Sequence, residues 1–354
     1  MTKNHKYYLN LAFHLAEKNI GLTGTNPSVG SIIVKDGSVI SSGVTSVSGR
    51  PHSEFNALNK LNNCSGASLY STLEPCTHHG KTPPCVNIII KKKIKEVFFA
   101  SYDPDLRTFK KSKKILTKKG IKVKLLKINN YNNFYKGYFL NKKKSIPLIA
   151  AKIAISKDYQ TVNKKNKWIT NKLSRKCVHL LRYKYDCILS TSKSINLDNS
   201  LLNCRIEGLK PNKPDLFIID LNLRLKKKLF INSLLNKRNT FIVTLKKNSN
   251  KTFLFKKMGY KIIFINSLNK KEDFNLLSKK IYKMGYSRLL VETGLTFLNY
   301  LLKNKLLNEL YIFQSNNKLG KYGKNNNSNW YLKKTSPKRL TINLNGDKLL
   351  KKEF

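Results

Sequence analysis

Short apolar runs alternate with helix-forming stretches along most of this chain, and that alternation restricts its fold more than any other feature. Residues 5 to 19 place Tyr8, Leu11, Ala12, Leu15 and Ala16 on one helical stripe. The segment "VGSIIVKDGSVI" reads as two short strands around an Asp36-Gly37 turn. A helix is expected over 53–62, a strand at "ASLYSTL", a helix from about Pro84 and a strand at "EVFFA". A basic helix over 110–119 and the strand "IKVKLL" complete this half. Such a succession predicts an α/β sandwich.

At "NKKKSIPL" (141–148) the pattern breaks in a charged, proline-ended linker. It restarts with "LIAAKIAIS", a helix over 171–184 and the strands "CILS", "DLFIID" and "TFIVTL". "RLLVETGLTFLNYLL" reads as a buried strand running through a small-residue turn into a helix, and "SNNKLGKYGKNNNSNW" (315–330) as a polar loop. Two domains are expected, 1–145 and 146–354, and 354 residues suffice for two cores.

The chain carries 69 basic against 19 acidic residues, a formal charge of +50. A nucleic-acid partner is one explanation. The lysines, however, run from end to end among asparagines and isoleucines, as codon bias in an AT-rich genome would leave them. No basic tail or arginine-rich helix stands apart, so they read as a solvated surface and nucleic acid is not expected. Six unevenly spaced cysteines do not form a disulfide framework. The first residues lack the apolar core of a secretory signal, and no run is long enough to span a bilayer. A reducing cytoplasm is the expected compartment.

One cluster of residues carries chemistry. His52 and Glu54 open a helix, Cys76 follows a proline after a strand, and Cys85 follows Pro83-Pro84 where a helix begins. One imidazole and two thiolates give a tetrahedral zinc three protein ligands and leave its fourth position for water, the pattern of a catalytic rather than a structural site. Zinc lowers the pKa of that water toward about 7. Glu54 is then placed to shuttle its proton to a departing amine, as in the H-x-E plus P-C arrangement of zinc nucleobase deaminases. His78 and His79 are expected to line the pocket rather than bind metal. Cys64, Cys177, Cys187 and Cys204 lack such partners and are expected to be structural.

"NPSVGSIIVKDG", "HSEFNAL" and "STLEPCTHHGKTPPC" closely resemble the deaminase half of the bifunctional riboflavin-biosynthesis deaminase/reductase family. The resemblance implies a cytidine-deaminase-like three-layer sandwich. It makes the eight residues between Cys76 and Cys85 part of a pocket for a ribosylated pyrimidine phosphate, with Lys81 and Thr82 as contacts. It also places Asn26 on the substrate and Asp103 near the pyrimidine.

The second half has no G-x-G-x-x-G. Thr293, Gly294, Leu295 and Thr296 instead sit between a strand and a helix, where backbone N–H groups can hold a phosphate. "KIAISKD", "KWITNKLSRKCVHLLR", "DCILSTSKSINLDNSLLNCR" and "LLVETGLTFL" are similar, in order and spacing, to the same family's NADPH-dependent reductase domain. That resemblance implies a dihydrofolate-reductase-like α/β fold and a dimer formed through this domain. It assigns Trp168, Ser194, Asp198 and the turn from Gly294, Leu295 and Thr296 to residue 300 to NADPH. Asn166, Arg182, Leu202, Arg205 and Glu292 fall to the substrate. The chain departs from the family at Ser156-Lys157-Asp158-Tyr159 (usually Ser-Leu-Asp-Gly), at Asn166 and Leu221 (usually serines) and at "DPDLRTFKKSKK".

The leading expectation is zinc-dependent deamination of a diamino-ribosylaminopyrimidinone phosphate, then NADPH-dependent reduction of the ribosyl to a ribityl side chain. A deaminase whose second half only mediates assembly would carry the same first-half motifs. An RNA-binding adenosine or cytidine deaminase would fit the charge but neither the cysteine spacing nor the second half. A non-enzymatic nucleic-acid-binding protein would leave the metal residues without a purpose.

Overall fold

The computed structural model describes residues 4–131, 133–209 and 214–354, and every count refers to those residues. The chain divides into two compact units, Met1–Ser145 and Ile146–Phe354.

The first unit contains α1 (His5–Glu17), β1 (Gly30–Lys35), β2 (Ser38–Val44), α2 (Ser53–Leu58), β3 (Ser68–Ser71) and α3 (Cys85–Lys91). It continues with β4 (Glu96–Phe99), α4 (Lys111–Lys118), β5 (Lys122–Leu125) and α5 (Lys136–Lys144). Its five-stranded sheet has the order β2-β1-β3-β4-β5. β1 is antiparallel to both neighbours, and β3, β4 and β5 run parallel. Asp36 (φ 49°) and Gly37 (φ 81°) close the β1–β2 hairpin with the two positive φ angles that a two-residue hairpin favours.

Strand periodicity makes three layers. Leu69, Val97 and Phe99 join Ala57 and Leu58 of α2, Val86 and Ile89 of α3 and Leu116 of α4 on one face. Their neighbours Tyr70 and Phe98 join Leu9, Ala12 and Phe13 of α1 on the other. Helix α2 stops at Leu58 rather than running to 62. The chain must turn there, through Gly66 at φ 78°, to bury Cys64 and Ala67 before β3.

The second unit contains β6 (Leu148–Ile155), β7 (Val162–Asn163), α6 (Lys172–Tyr183), β8 (Cys187–Thr191), α7 (Ser192–Asp198), β9 (Asp215–Ile219) and β10 (Thr240–Leu245). Then come α8 (Phe253–Lys257), β11 (Lys261–Ile265), α9 (Lys271–Lys283), β12 (Arg288–Glu292), α10 (Leu295–Lys303) and β13 (Glu309–Gln314). The remainder is β14 (Gly323–Lys324), α11 (Trp330–Lys333), β15 (Lys338–Arg339) and β16 (Lys348–Glu353). The nine-stranded sheet has the order β11-β10-β9-β8-β12-β6-β13-β16-β15. Its strands are parallel except at the β16 edge.

The central strands are continuously apolar because both faces are covered. Phe217, Val243 and Val291 pack beneath α9 and α10, while Leu216, Ile218 and Leu290 pack on the opposite side with Ile195 of α7. The stretch 315–330 is not loop throughout. Gly323–Lys324 pairs with Val162–Asn163, because Thr161 N–H and hydroxyl both donate to Asn325 Oδ1 and draw the two segments together. No described helix is long and apolar enough to cross a membrane.

Candidate active sites

In the first unit the close approach of α2 to β2 fixes the site. A Cβ on Gly43 would lie 2.3 Å from the Ser53 carbonyl oxygen, so only glycine lets the start of α2 press against the sheet. His52 is the N-cap of α2, and Cys85 is the first residue of α3, which follows the extended Pro84. These ends meet the segment after β3, so that His52 Nδ1 lies 3.5 Å from Cys76 Sγ and 3.4 Å from Cys85 Sγ. All three ligand atoms lie within 4.8 Å of one another, and no other described group of histidines, cysteines and carboxylates forms such a set.

The donors fit zinc. Its ordinary bond lengths in a tetrahedron put nitrogen and sulfur about 3.6 Å apart. The thiols are also prepared for a cation. The Cys85 thiol and His52 pull the Cys76 pKa down to about 4, and the Cys85 backbone N–H donates to Cys76 Sγ at 3.2 Å. Cys85, hydrogen-bonded to Cys76 and deeply buried, has its pKa pushed up, so metal binding must displace its proton. Burial works against a charged His52, but Cys76 and Glu54 outweigh it and raise the pKa.

Glu54 is buried with Oε2 3.6 Å from Cys85 Sγ and 3.1 Å from Ser53 Oγ. Burial raises its pKa, which suits a group that must pick up and release a proton. His78 and His79 stay out of the donor set. His78 Nδ1 meets Thr108 Oγ1 at 3.1 Å, and His79 is exposed.

The insertion 77–84 is held at both ends. Arg50 donates to Thr82 Oγ1, and Thr77 Oγ1 donates to the Arg107 carbonyl at 2.8 Å. Lys81 is exposed at its tip. Asn26 lies against Gly49, its amide donating to the Gly49 carbonyl at 3.3 Å. Asp103 accepts from Tyr138 OH at 3.0 Å, and burial moves its pKa up to about 6. Glu74, absent from the sequence-derived set, accepts from Asp103 N, Lys110 N, Ser112 N and Ser112 Oγ and so fixes the loop that carries Asp103.

In the second unit Arg182 of α6 and Glu292 at the end of β12 form a buried two-pronged pair, Nε–Oε1 2.6 Å and Nη2–Oε2 3.0 Å. Lys152 of β6 lies 3.5 Å from the same carboxylate. Burial alone would raise the Glu292 pKa, but the two cations hold it at about 2. Burial lowers the Lys152 pKa, with Glu292 and Asp198 opposing. Arg205 reaches Asn203 Oδ1 at 2.5 Å.

Other expected residues line a cavity, sit at helix starts or lie within the core. Asn166 and Trp168 line a cavity of about 550 Å³ that also presents Lys157, Lys165 and Lys318 and no carboxylate. Trp168 is half exposed, with Arg175 stacked 4.6 Å from its ring centre. Ser194 N–H donates to Thr191 Oγ1 at the start of α7. Gly294 is the N-cap of α10, with open space where a side chain would be. Thr296 is exposed, but the side chains of Leu295 and Leu202 are buried in the core, which leaves only their backbones for a ligand.

A model of the cytidine and deoxycytidylate deaminase zinc-binding region matches residues 2–101, and one of the RibD C-terminal domain matches residues 147–334. The riboflavin biosynthesis protein RibD of Buchnera aphidicola subsp. Baizongia pistaciae is 33% identical over 332 residues, 90% of this chain and 88% of that protein. The chain belongs to the RibD family.

RibD of Aquifex aeolicus is 32% identical over 312 residues, covering 87% of this chain and 86% of its own. The structure of Acinetobacter baumannii RibD matches with a TM-score of 0.84 at 25% identity, over 99% of this chain and 98% of that one. The Thermotoga maritima diaminohydroxyphosphoribosylaminopyrimidine deaminase/5-amino-6-(5-phosphoribosylamino)uracil reductase matches at 0.82 and 26% identity, over 99% and 98%. As a RibD-family protein the chain is an enzyme of riboflavin biosynthesis that joins a zinc-dependent deaminase to an NADPH-dependent reductase. The RibD reductase-type match over 147–334 also accounts for the half that an RNA-binding deaminase would leave unexplained. Lys152 and Glu74 were missed in sequence because a lone lysine in a strand and a lone glutamate after one carry no spacing signal.

Proposed function

We propose that the first unit deaminates a diamino-ribosylaminopyrimidinone phosphate and that the second reduces the product's ribosyl group to ribityl. His52, Cys76 and Cys85 hold the zinc; when bound, it supplies the Lewis acidity that makes a water nucleophilic near neutral pH. Glu54 takes that water's proton as its oxygen attacks the amino-bearing ring carbon, then passes the proton to the nitrogen. Ammonia leaves and a ring carbonyl remains. Asn26, Lys81, Thr82 and Asp103 orient the substrate. The convergence of His52 Nδ1 with the two thiols beside buried Glu54 carries this reading.

In the second unit Trp168, Ser194, Asp198, Gly294, Leu295 and Thr296 hold NADPH, which supplies the hydride when bound. Asn166, Arg182, Leu202, Arg205 and Glu292 hold the pyrimidine ribose phosphate, with the two arginines matched to its anionic end. Reduction adds hydride to the anomeric carbon and breaks its bond to the ring oxygen, which needs one proton. We assign that proton to Lys152, a partly buried ammonium beside Glu292 whose pKa burial lowers.

Exposed Leu173 and Leu180, two turns apart on α6, support a dimer formed through this unit. Six free cysteines, two in the metal set, support a reducing cytoplasm. The direct test is to give the purified protein the diamino substrate and follow ammonia release and NADPH oxidation in sequence. Absence of the first refutes the deaminase assignment; its presence without the second leaves a deaminase alone.

A further inference from the structure

Arg238 is a buried cation with no carboxylate among the described residues within ion-pairing distance. Its Nη1 donates to the carbonyls of Leu202 (2.6 Å) and Pro214 (3.1 Å), its Nη2 to the carbonyl of Leu201 (2.6 Å), and its buried Nε has no partner among the described residues. Burying an unpaired charge is costly unless its surroundings are organised to receive it. Asp215 attracts it from beyond hydrogen-bonding reach, and the groups that accept its protons are three backbone carbonyls: Pro214 at the foot of β9, and Leu201 and Leu202 in the loop after α7.

That loop bears the substrate groups. Leu202 has φ 48°, a left-handed conformation that a leucine avoids and that its surroundings must hold in place. The next residue, Asn203, is the junction of the cluster. Its carbonyl accepts from Arg182 Nη1 at 3.1 Å and from the His179 ring at 2.9 Å, and its Oδ1 accepts from Arg205 Nη1 at 2.5 Å. A chain of contacts thus runs from Arg238 through the strained Leu202 to Asn203, and on to Arg182, Arg205 and Glu292.

We propose that Arg238 is a positioning residue for the reductase: its guanidinium pins Leu201 and Leu202 so that Asn203 and Arg205 are aligned on the pyrimidine ribose phosphate. Arg238 touches neither substrate nor cofactor. Its effect rests on the reductase reading above and reaches the substrate only through the loop. A planar fork is needed because the accepting carbonyls spread across two segments of chain.

The test is Arg238→Met in the full-length protein, with Arg205→Ala in parallel. Hydrogen exchange of residues 199–206 and the steady-state constants for the deaminated pyrimidine with NADPH are measured on each. Arg238→Met is expected to speed exchange in that loop while β8 and β12 stay protected, and to raise the pyrimidine KM about tenfold with kcat within about twofold. Ammonia release from the first unit stays at the wild-type rate. Unchanged loop exchange overturns the proposal, as does faster exchange with an unchanged KM. If Arg238→Met loses protection in β8 and β12, Arg238→Gln, which keeps two amide donors, is judged by the same two criteria. Should wild-type protein not oxidise NADPH, the reductase reading falls, while loop exchange in the variant still decides whether Arg238 holds the loop.

Discussion

Lys152 faces Glu292 in the parallel register of β6 and β12, its ammonium 3.5 Å from Oε2 of a carboxylate that Arg182 also grips through both oxygens. Two cations on one buried anion leave the lysine as the group that can part with a proton while Arg182 keeps its charge. Lys152→Met should lower NADPH oxidation by about a hundredfold or more and leave ammonia release unchanged. Stopped-flow absorbance of the nicotinamide checks this, and a wild-type hydride-transfer rate removes Lys152 from the chemistry.

The same triad sets an acid limit on the second unit. Glu292 has a folded-state pKa near 2 against the ordinary 4.5, so it binds its proton less readily when folded. Its stabilisation is therefore complete above about pH 4.5 and is lost as pH falls toward 2, amounting to roughly 3 kcal/mol for a group this buried. Denaturant melts of wild type and Glu292→Gln should differ at pH 7 and converge near pH 2. A difference independent of pH would contradict this.

Asp103 should govern the acid side of the deaminase profile. Burial puts its pKa near 6, so the carboxylate is the main form only above that pH. If it receives a substrate N–H as a carboxylate, kcat/KM for ammonia release falls below about pH 6, and Asp103→Asn flattens that limb while lowering the plateau. An unaltered limb in the variant would assign it to another group.

The cavity beside Trp168 collects Lys157, Lys165 and Lys318 without a carboxylate, so anion affinity there should depend on salt. Replacing the three lysines with glutamine should raise the NADPH KM severalfold at low ionic strength and by less in 0.5 M salt, while Trp168→Ala raises it at both. Steady-state rates at varied NADPH and at each salt concentration read both effects directly.

The metal centre was legible in sequence because its residues sit at strand and helix ends, where an α/β alternation brings them to one edge. His52, Cys76 and Cys85 needed only that alternation to meet. The second site was less legible. Arg182 and Glu292 are joined across 110 residues by a sheet order that no local pattern encodes. Asn203 and Arg238 act through backbone carbonyls, which carry no residue signature. The antiparallel pair β13 and β16 carries little strand pattern, because β16 (KLLKKE) is mostly charged and does not alternate. Leu202 and Leu295 had signalled contacts through their positions in motifs, yet their side chains serve the core.

One determination bears most directly on the central claim: zinc content and ammonia release measured together on wild type, Cys85→Ser and Glu54→Gln. The expected pattern is one zinc per chain and full activity in wild type, little zinc and no activity in Cys85→Ser, and full zinc with activity reduced by at least about a hundredfold in Glu54→Gln. Full ammonia release by Cys85→Ser stripped of metal would contradict it.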